Sequence, residues 1–394
     1  MTNALLPVFQ PAPMVFDKGE GAWLTTAEGE RYLDFGAGIA VNSLGYSHPH
    51  LVAALETQAR KLWHLSNVYR IPDGERLAER LTAACFADVA FFANSGAEAN
   101  ECAIKIARRY QNASGRPERW RIITFNGAFH GRTLATMAAG GNPKYLDGFG
   151  PAVGGFDACP PEDINAVRAR ITLQTAAIMI EPIQGESGVR PVSHDFLRQL
   201  RALCDEFGLL LIYDEIQCGV GRTGYLFAHQ EAGVAPDIMS LAKGLGGGFP
   251  VGACLATRAA AFGMVAGSHG STFGGNPLAM AVGNAVLDIV DDEAFLTKVR
   301  RKGERLRAAL EQIASFLPDL ILEVRGRGLM LGIRTAREPR EIVEALRAHA
   351  QVLTIAAGDN VVRIVPPLTV SDEEIDLFAD RVRHALEQIS KRAA

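Results

Sequence analysis

At 394 residues the chain is longer than one compact core usually organises, so its length predicts two domains. Hydrophobic residues make up 48%, charged residues 21%, and the net charge is −4 with no Lys/Arg stripe, which suits a soluble enzyme acting on small molecules. Nucleic acid and anionic membrane are thereby disfavoured as main partners.

The opening MTNALLPVFQPAPMVF has neither a basic start nor a continuous apolar run, and no window approaches a membrane span. Six cysteines (Cys85, Cys102, Cys159, Cys204, Cys218, Cys254) are scattered without CxxC or Cys/His spacing, so no metal site or disulfide framework is expected. Cys218, which follows an apolar run, is the one expected nearest a site. A reducing cytoplasm fits these features.

In chain order, GAWLTTAEGERYLDF reads as a hairpin turning at Glu28-Gly29, followed by the glycine-rich GAGIAVNSLGYSHP. VAFFANSG (89–96) then precedes a helix-like AEANECAIKIARRY. Apolar runs without alternation follow at RIITF (121–125), AAIMIEP (176–182), LLLIYDE (209–215), DIMSLAK (237–243) and VGACLAT (251–257). Such runs are expected of strands covered on both faces, and helical stretches between them, such as HDFLRQLRALCDEFG with Gly208 as C-cap, indicate an α/β fold with a mostly parallel sheet. Beyond about residue 285 come a long helix, strands in ILEVRGRGLMLGIRT and VVRIVPP, and a final helix. The predicted division is 1–45 and 286–394 in a smaller α+β domain built from both chain ends, around a large domain over 46–285.

Sites in such sheets lie beyond the carboxyl ends of the strands, where Ser95-Gly96, Glu181, Asp214 and Lys243 all fall. Asn94-Ser95-Gly96-Ala97 joins a strand to a helix start, either as a phosphate cradle or as a helix capped by Ser95. Phe129, in GAFHGRT, is placed to wall a flat heterocycle or to fill core, and His130 reads as a supporting residue. Asp214 and Lys243, both closing apolar runs, suit a ring held at a protonated nitrogen by the carboxylate and bonded covalently to the amine; the alternative for Asp214 is a turn or capping acid. Ile216 would pack on the ring face opposite Phe129, and Gln217 would reach a ring hydroxyl. Partial desolvation between Ile238–Leu241 and the glycines of GLGGG would lower the Lys243 pKa. GLGGG itself matches no nucleotide-binding signature.

NSGAEANE, GAFHGRTL, EPIQGESGV, DEIQCGVGRTG, LAKGLGGGFPVG, GSTFGGNPLA and VVRIVPPL occur in that order. Through them the chain resembles the class III (ω-amino) aminotransferases of the fold-type I pyridoxal-phosphate group over nearly its full length, and looks most like the acetylornithine aminotransferase branch. The resemblance implies pyridoxal 5'-phosphate as cofactor, with Lys243 as Schiff-base lysine and Asp214 at the pyridine nitrogen. It further implies Phe129 on the ring, Ser95, Gly96 and Ala97 at the phosphate, and Thr272 reaching the cofactor of a neighbouring subunit in a homodimer with shared sites. Arg132, Arg363, Glu186 and Ser271 would face substrate: Arg132 on the distal carboxylate, Arg363 on the α-carboxylate of glutamate. Glu186 would pair with Arg363 while an ω-amine donor is bound, unless the two form a permanent salt bridge.

The activity so implied moves the δ-amine of N2-acetyl-L-ornithine to 2-oxoglutarate, as in arginine biosynthesis, by way of pyridoxamine phosphate. N-succinylornithine, ornithine and 4-aminobutyrate stay open as donors. A mutase or decarboxylase on the same scaffold, or a non-catalytic binding protein, are the readings from other classes. Ile39, Asn42, Tyr69 and Arg70 fall in segments lining the family's substrate channel; Arg70 stands where many relatives carry an aromatic, and either binds an acyl or carboxylate group or lies at the surface.

Overall fold

The structure, a computed structural model, describes residues 4–391. A seven-stranded sheet runs in the order Val89–Ala93, Gly252–Ala256, Ile238–Leu241, Leu210–Asp214, Thr175–Ile180, Arg121–Phe125, Phe156–Cys159. Gly252–Ala256 is antiparallel to both neighbours, while the other pairings in this sheet are parallel.

Alternate side chains explain why these strands read as unbroken apolar runs. Ile178, Ile180, Leu211 and Tyr213 pack on one face with Phe196, Leu200 and Leu203 of the helix His194–Phe207. Ala177, Met179, Leu210 and Ile212 pack on the other with Cys102, Ala103, Ile106 and Ala107 of the helix Gly96–Ala113. With both faces dry, neither register position can be polar. The helix His194–Phe207 is bounded by Ser193, whose hydroxyl accepts from the Phe196 N–H, and by Gly208 at φ +65°.

The chain ends meet in one sheet. Phe16–Glu20, Trp23–Thr26 and Arg31–Asp34 form antiparallel pairs, and Val352–Leu353 adds parallel to Arg31–Asp34. A third sheet orders Ile321–Arg327, Met330–Thr335, Val361–Ile364 and Ile355–Ala357, all antiparallel. The helices Glu293–Phe316 and Asp372–Lys391 pack together beside these sheets, and Phe378 of the latter stacks on Phe35 with ring centroids 3.9 Å apart.

Candidate active site

A cavity of about 430 Å³ opens at the carboxyl ends of the parallel strands, within the range typical of small-molecule sites. Ser95, Gly96, Ala97, Phe129, Arg132, Asp214, Ile216, Gln217 and Lys243 line it together. His130, read from the sequence as a supporting residue, and Glu181, one of the strand-end residues, also line it, together with Val41 and Phe249, which no sequence pattern marks.

Asp214 ends its strand because its own carboxylate turns the chain: Oδ1 accepts from the Ile216 N–H at 3.1 Å. Oδ2 accepts from Asn100 Nδ2 at 2.7 Å and pairs with His130 Nδ1 at 2.8 Å. Asn100 also donates to the His130 carbonyl at 2.8 Å, so one buried amide aligns the other two groups. Asn100 lay in an ordinary helix pattern, five residues past Ser95, and nothing local marks its partner 114 positions away.

Ser95 caps the helix Gly96–Ala113, with Oγ accepting from the Glu98 N–H at 3.3 Å. That cap leaves the N–H groups of Gly96 and Ala97 facing the cavity as an anion site. Gly96 is required by packing, since a Cβ there would stand 2.7 Å from Ile216 Cδ1.

Lys243 follows its strand with φ +42°, a left-handed conformation that costs a non-glycine residue about 1 kcal/mol and recurs at functional sites. Among the described residues nothing hydrogen-bonds its amine. Burial, then the Arg363 charge, push its pKa down to about 8, against the pull of Glu186, Asp214 and Glu181. Its neutral fraction near neutral pH is thereby far larger than that of an exposed lysine, which makes it a usable nucleophile and base.

Glu181 is buried and accepts from the Phe129 N–H at 2.8 Å. Burial pushes its carboxyl well above the usual range, and the Asp214 charge adds to this.

Arg363 and Glu186 pair at 2.5 Å, with Arg363 almost fully buried. Burial would raise the Glu186 carboxyl, but the Arg363 guanidinium, aided by Lys243 and Gln217, holds it below the usual range. Gln217 lines the cavity, and its Oε1 accepts from Arg363 Nη1 at 3.0 Å, a contact that no local sequence pattern shows. Neither Arg363 nor Glu186 lines the main cavity; Glu186 lines an adjoining one that shares Phe129.

Ser271 and Thr272 also stand outside this chain's cavity. Ser271 Oγ accepts from Asn94 Nδ2 at 3.3 Å and from the Gly274 N–H at 2.9 Å, and Thr272 is exposed. Arg70 is at the surface, its side chain 86% exposed and forked onto Glu75. Ile39 and Tyr69 are exposed and Asn42 half-buried, all outside the cavity lining, while Cys218 is buried against Ala40, Ile183 and Val189.

The arrangement supplies an anion cradle, an aromatic wall, a carboxylate held by three donors and a desolvated amine within one cavity. Residues 8–386 match the sequence profile of the class III aminotransferases. The chain is 62% identical to the acetylornithine aminotransferase of Mesorhizobium japonicum, over 97% of this chain and 95% of that one. The N-acetylornithine aminotransferase of Stenotrophomonas maltophilia superimposes with a TM-score of 0.85 at 40% identity, covering 97% and 98% of the two chains. An ornithine aminotransferase of Toxoplasma gondii, with partial occupancy of pyridoxal phosphate at its active site, gives 0.93 at 33% identity over 98% and 93%. The chain therefore belongs to the class III aminotransferases.

Proposed function

We propose that the protein transfers the δ-amino group of N2-acetyl-L-ornithine to 2-oxoglutarate, giving N-acetylglutamate 5-semialdehyde and glutamate in cytoplasmic arginine biosynthesis. The near full-length identity to the Mesorhizobium enzyme of that name carries the proposal.

The residues fit pyridoxal 5'-phosphate as cofactor. The Gly96 and Ala97 N–H groups suit its phosphate, Phe129 and Ile216 its two faces, and the Asp214 carboxylate, held by Asn100 and His130, its ring nitrogen. Bound there, it supplies a carbonyl and an electron sink for the substrate carbon.

Lys243 Nζ provides the nucleophile for cofactor attachment and then takes the proton from the substrate carbon bearing the amine. Arg132 holds the distal carboxylate of either substrate. Arg363 has no substrate anion to meet while the δ-amine is in place, and Glu186 keeps its charge paired until the α-carboxylate of glutamate or 2-oxoglutarate arrives. The protein acts as a homodimer in which Thr272 reaches the partner's phosphate. No helix among the described residues is long and apolar enough to cross a membrane.

The test is kcat/KM for N2-acetylornithine, N2-succinylornithine, ornithine and 4-aminobutyrate with 2-oxoglutarate. N2-acetylornithine is expected to lead by about tenfold or more, near 1.4 kcal/mol of discrimination; a higher value for another donor overturns the assignment. Glu186→Ala is expected to shift preference away from the δ-amine donor and toward glutamate. Unchanged rates with both would refute the alternation of Arg363.

A further inference from the structure

Arg132 differs from several other arginines of the chain. Arg363, Arg325 and Arg121 are each tied to a carboxylate. Among the described residues, no hydrogen bond or ion pair reaches the Arg132 guanidinium, which instead lies 3.7 Å over the Tyr145 ring centroid and 5.9 Å from that of Phe129. The two rings meet edge to face, 6.0 Å apart at 84°.

A guanidinium covered on its flat face keeps its in-plane N–H fork open, the geometry that receives a carboxylate in bidentate fashion. Tyr145 comes from a separate element, the short turn of helix Pro143–Leu146, whose Asn142 cap accepts from the Lys144 N–H. The helix Leu134–Gly140 lies between it and Arg132, so the stack is a tertiary contact. Tyr145 lines the adjoining cavity of about 600 Å³ that shares Phe129 with the main one.

We infer that Tyr145 is a positioning residue for carboxylate recognition: its ring holds Arg132 with the fork free and at a fixed offset from the Phe129 wall. Chain length between the reacting carbon and the distal carboxylate is thereby measured against a rigid unit of three side chains. The inference rests on the proposed role of Arg132.

The experiment measures glutarate binding to the cofactor-loaded enzyme by titration calorimetry, with Tyr145→Leu, Tyr145→Ser and Tyr145→Phe compared to wild type. Loss of the aromatic face is expected to weaken glutarate about 5- to 10-fold in the first two, while the phenylalanine variant stays within about twofold. In turnover, the KM for 2-oxoglutarate rises by a similar factor with kcat nearly constant. The inference is overturned if either variant lacking the ring binds glutarate as wild type does, or if Tyr145→Phe loses as much as they do. Wild-type enzyme that ignores N2-acetylornithine would refute the proposed function alone, because glutarate binding needs no amino donor.

Discussion

Glu181 shows how one buried group sets local chemistry without reacting. Its carboxyl is pushed well above the usual carboxylate range by burial and by the nearby Asp214 charge while it accepts from the Phe129 backbone N–H. An acid whose pKa is raised on folding costs nothing below its unfolded value of about 4.3 but loses stability as pH climbs toward the folded value. Glu181→Gln keeps the acceptor for the Phe129 N–H and removes the titration. Cofactor-free Glu181→Gln should therefore melt at the wild-type temperature near pH 4.5 and above it at pH 8 to 9, by about 1 kcal/mol or more. A uniform loss at every pH would show that the carboxyl is ionised in the fold. Lys243 has the opposite slope: its depressed pKa weakens the fold as pH falls from the ordinary lysine value of 10.5 to about 8, so Glu181 and Lys243 together make the empty site pH-sensitive.

Two helix glycines separate propensity from packing at the level of elements. Gly303, in the helix Glu293–Phe316, would place a Cβ 2.6 Å from the Gly328 carbonyl carbon and oxygen. Gly328 in turn sits at φ +52° and approaches the Thr223 backbone, so helix, hairpin turn and the loop after Asp214 meet at backbone contact. Gly74, in the helix Pro72–Ala83, would place its Cβ an ordinary 3.5 Å from Met280 Cγ. Alanine gains up to about 1 kcal/mol of helix propensity at either position, whereas overpacking costs about 1–3 kcal/mol. Gly303→Ala should lower the melting temperature by a few degrees and Gly74→Ala should leave it equal or slightly higher; equal shifts in thermal denaturation would deny the close approach.

The same scale shows what was legible in the sequence. Leu210–Asp214 and Thr175–Ile180 were readable because helices cover both their faces. For that same reason Gly252–Ala256 looks like its parallel neighbours although it runs against them, since direction leaves no trace in a doubly buried strand. Phe156–Cys159 escaped notice as a short edge strand carrying Asp157, which pairs with Arg121. Val352–Leu353 and Ile355–Ala357 are too short to show a period. The strand-end positions of Asp214, Lys243 and Ser95 were visible, but Asn100 and Tyr145 act through distant contacts that no local pattern encodes.

At the scale of the whole molecule, an apolar strip remains uncovered on the isolated chain. Leu62, Trp63, Val68, Tyr69 and Phe273 are each more than half exposed, and Asn67 joins their segments by donating to the carbonyls of Ser271 and Gly274. Exposed apolar area of this kind is expected where a second subunit docks. Thr272 lies within this strip and outside its own chain's cavity, as a residue serving the opposite site would. Subunit complementation tests this directly. Lys243→Ala removes the amine and Thr272→Asp sets a negative charge against phosphate, so each homodimer should be nearly inactive. A purified mixed dimer, separated by two affinity tags, would combine an intact Lys243 from one chain with an intact Thr272 from the other. One of its two sites is then whole, and about half of the wild-type kcat per dimer should return. If Thr272 served its own chain, both sites of the mixed dimer would stay broken, and activity no higher than that of the parent homodimers would exclude the shared arrangement.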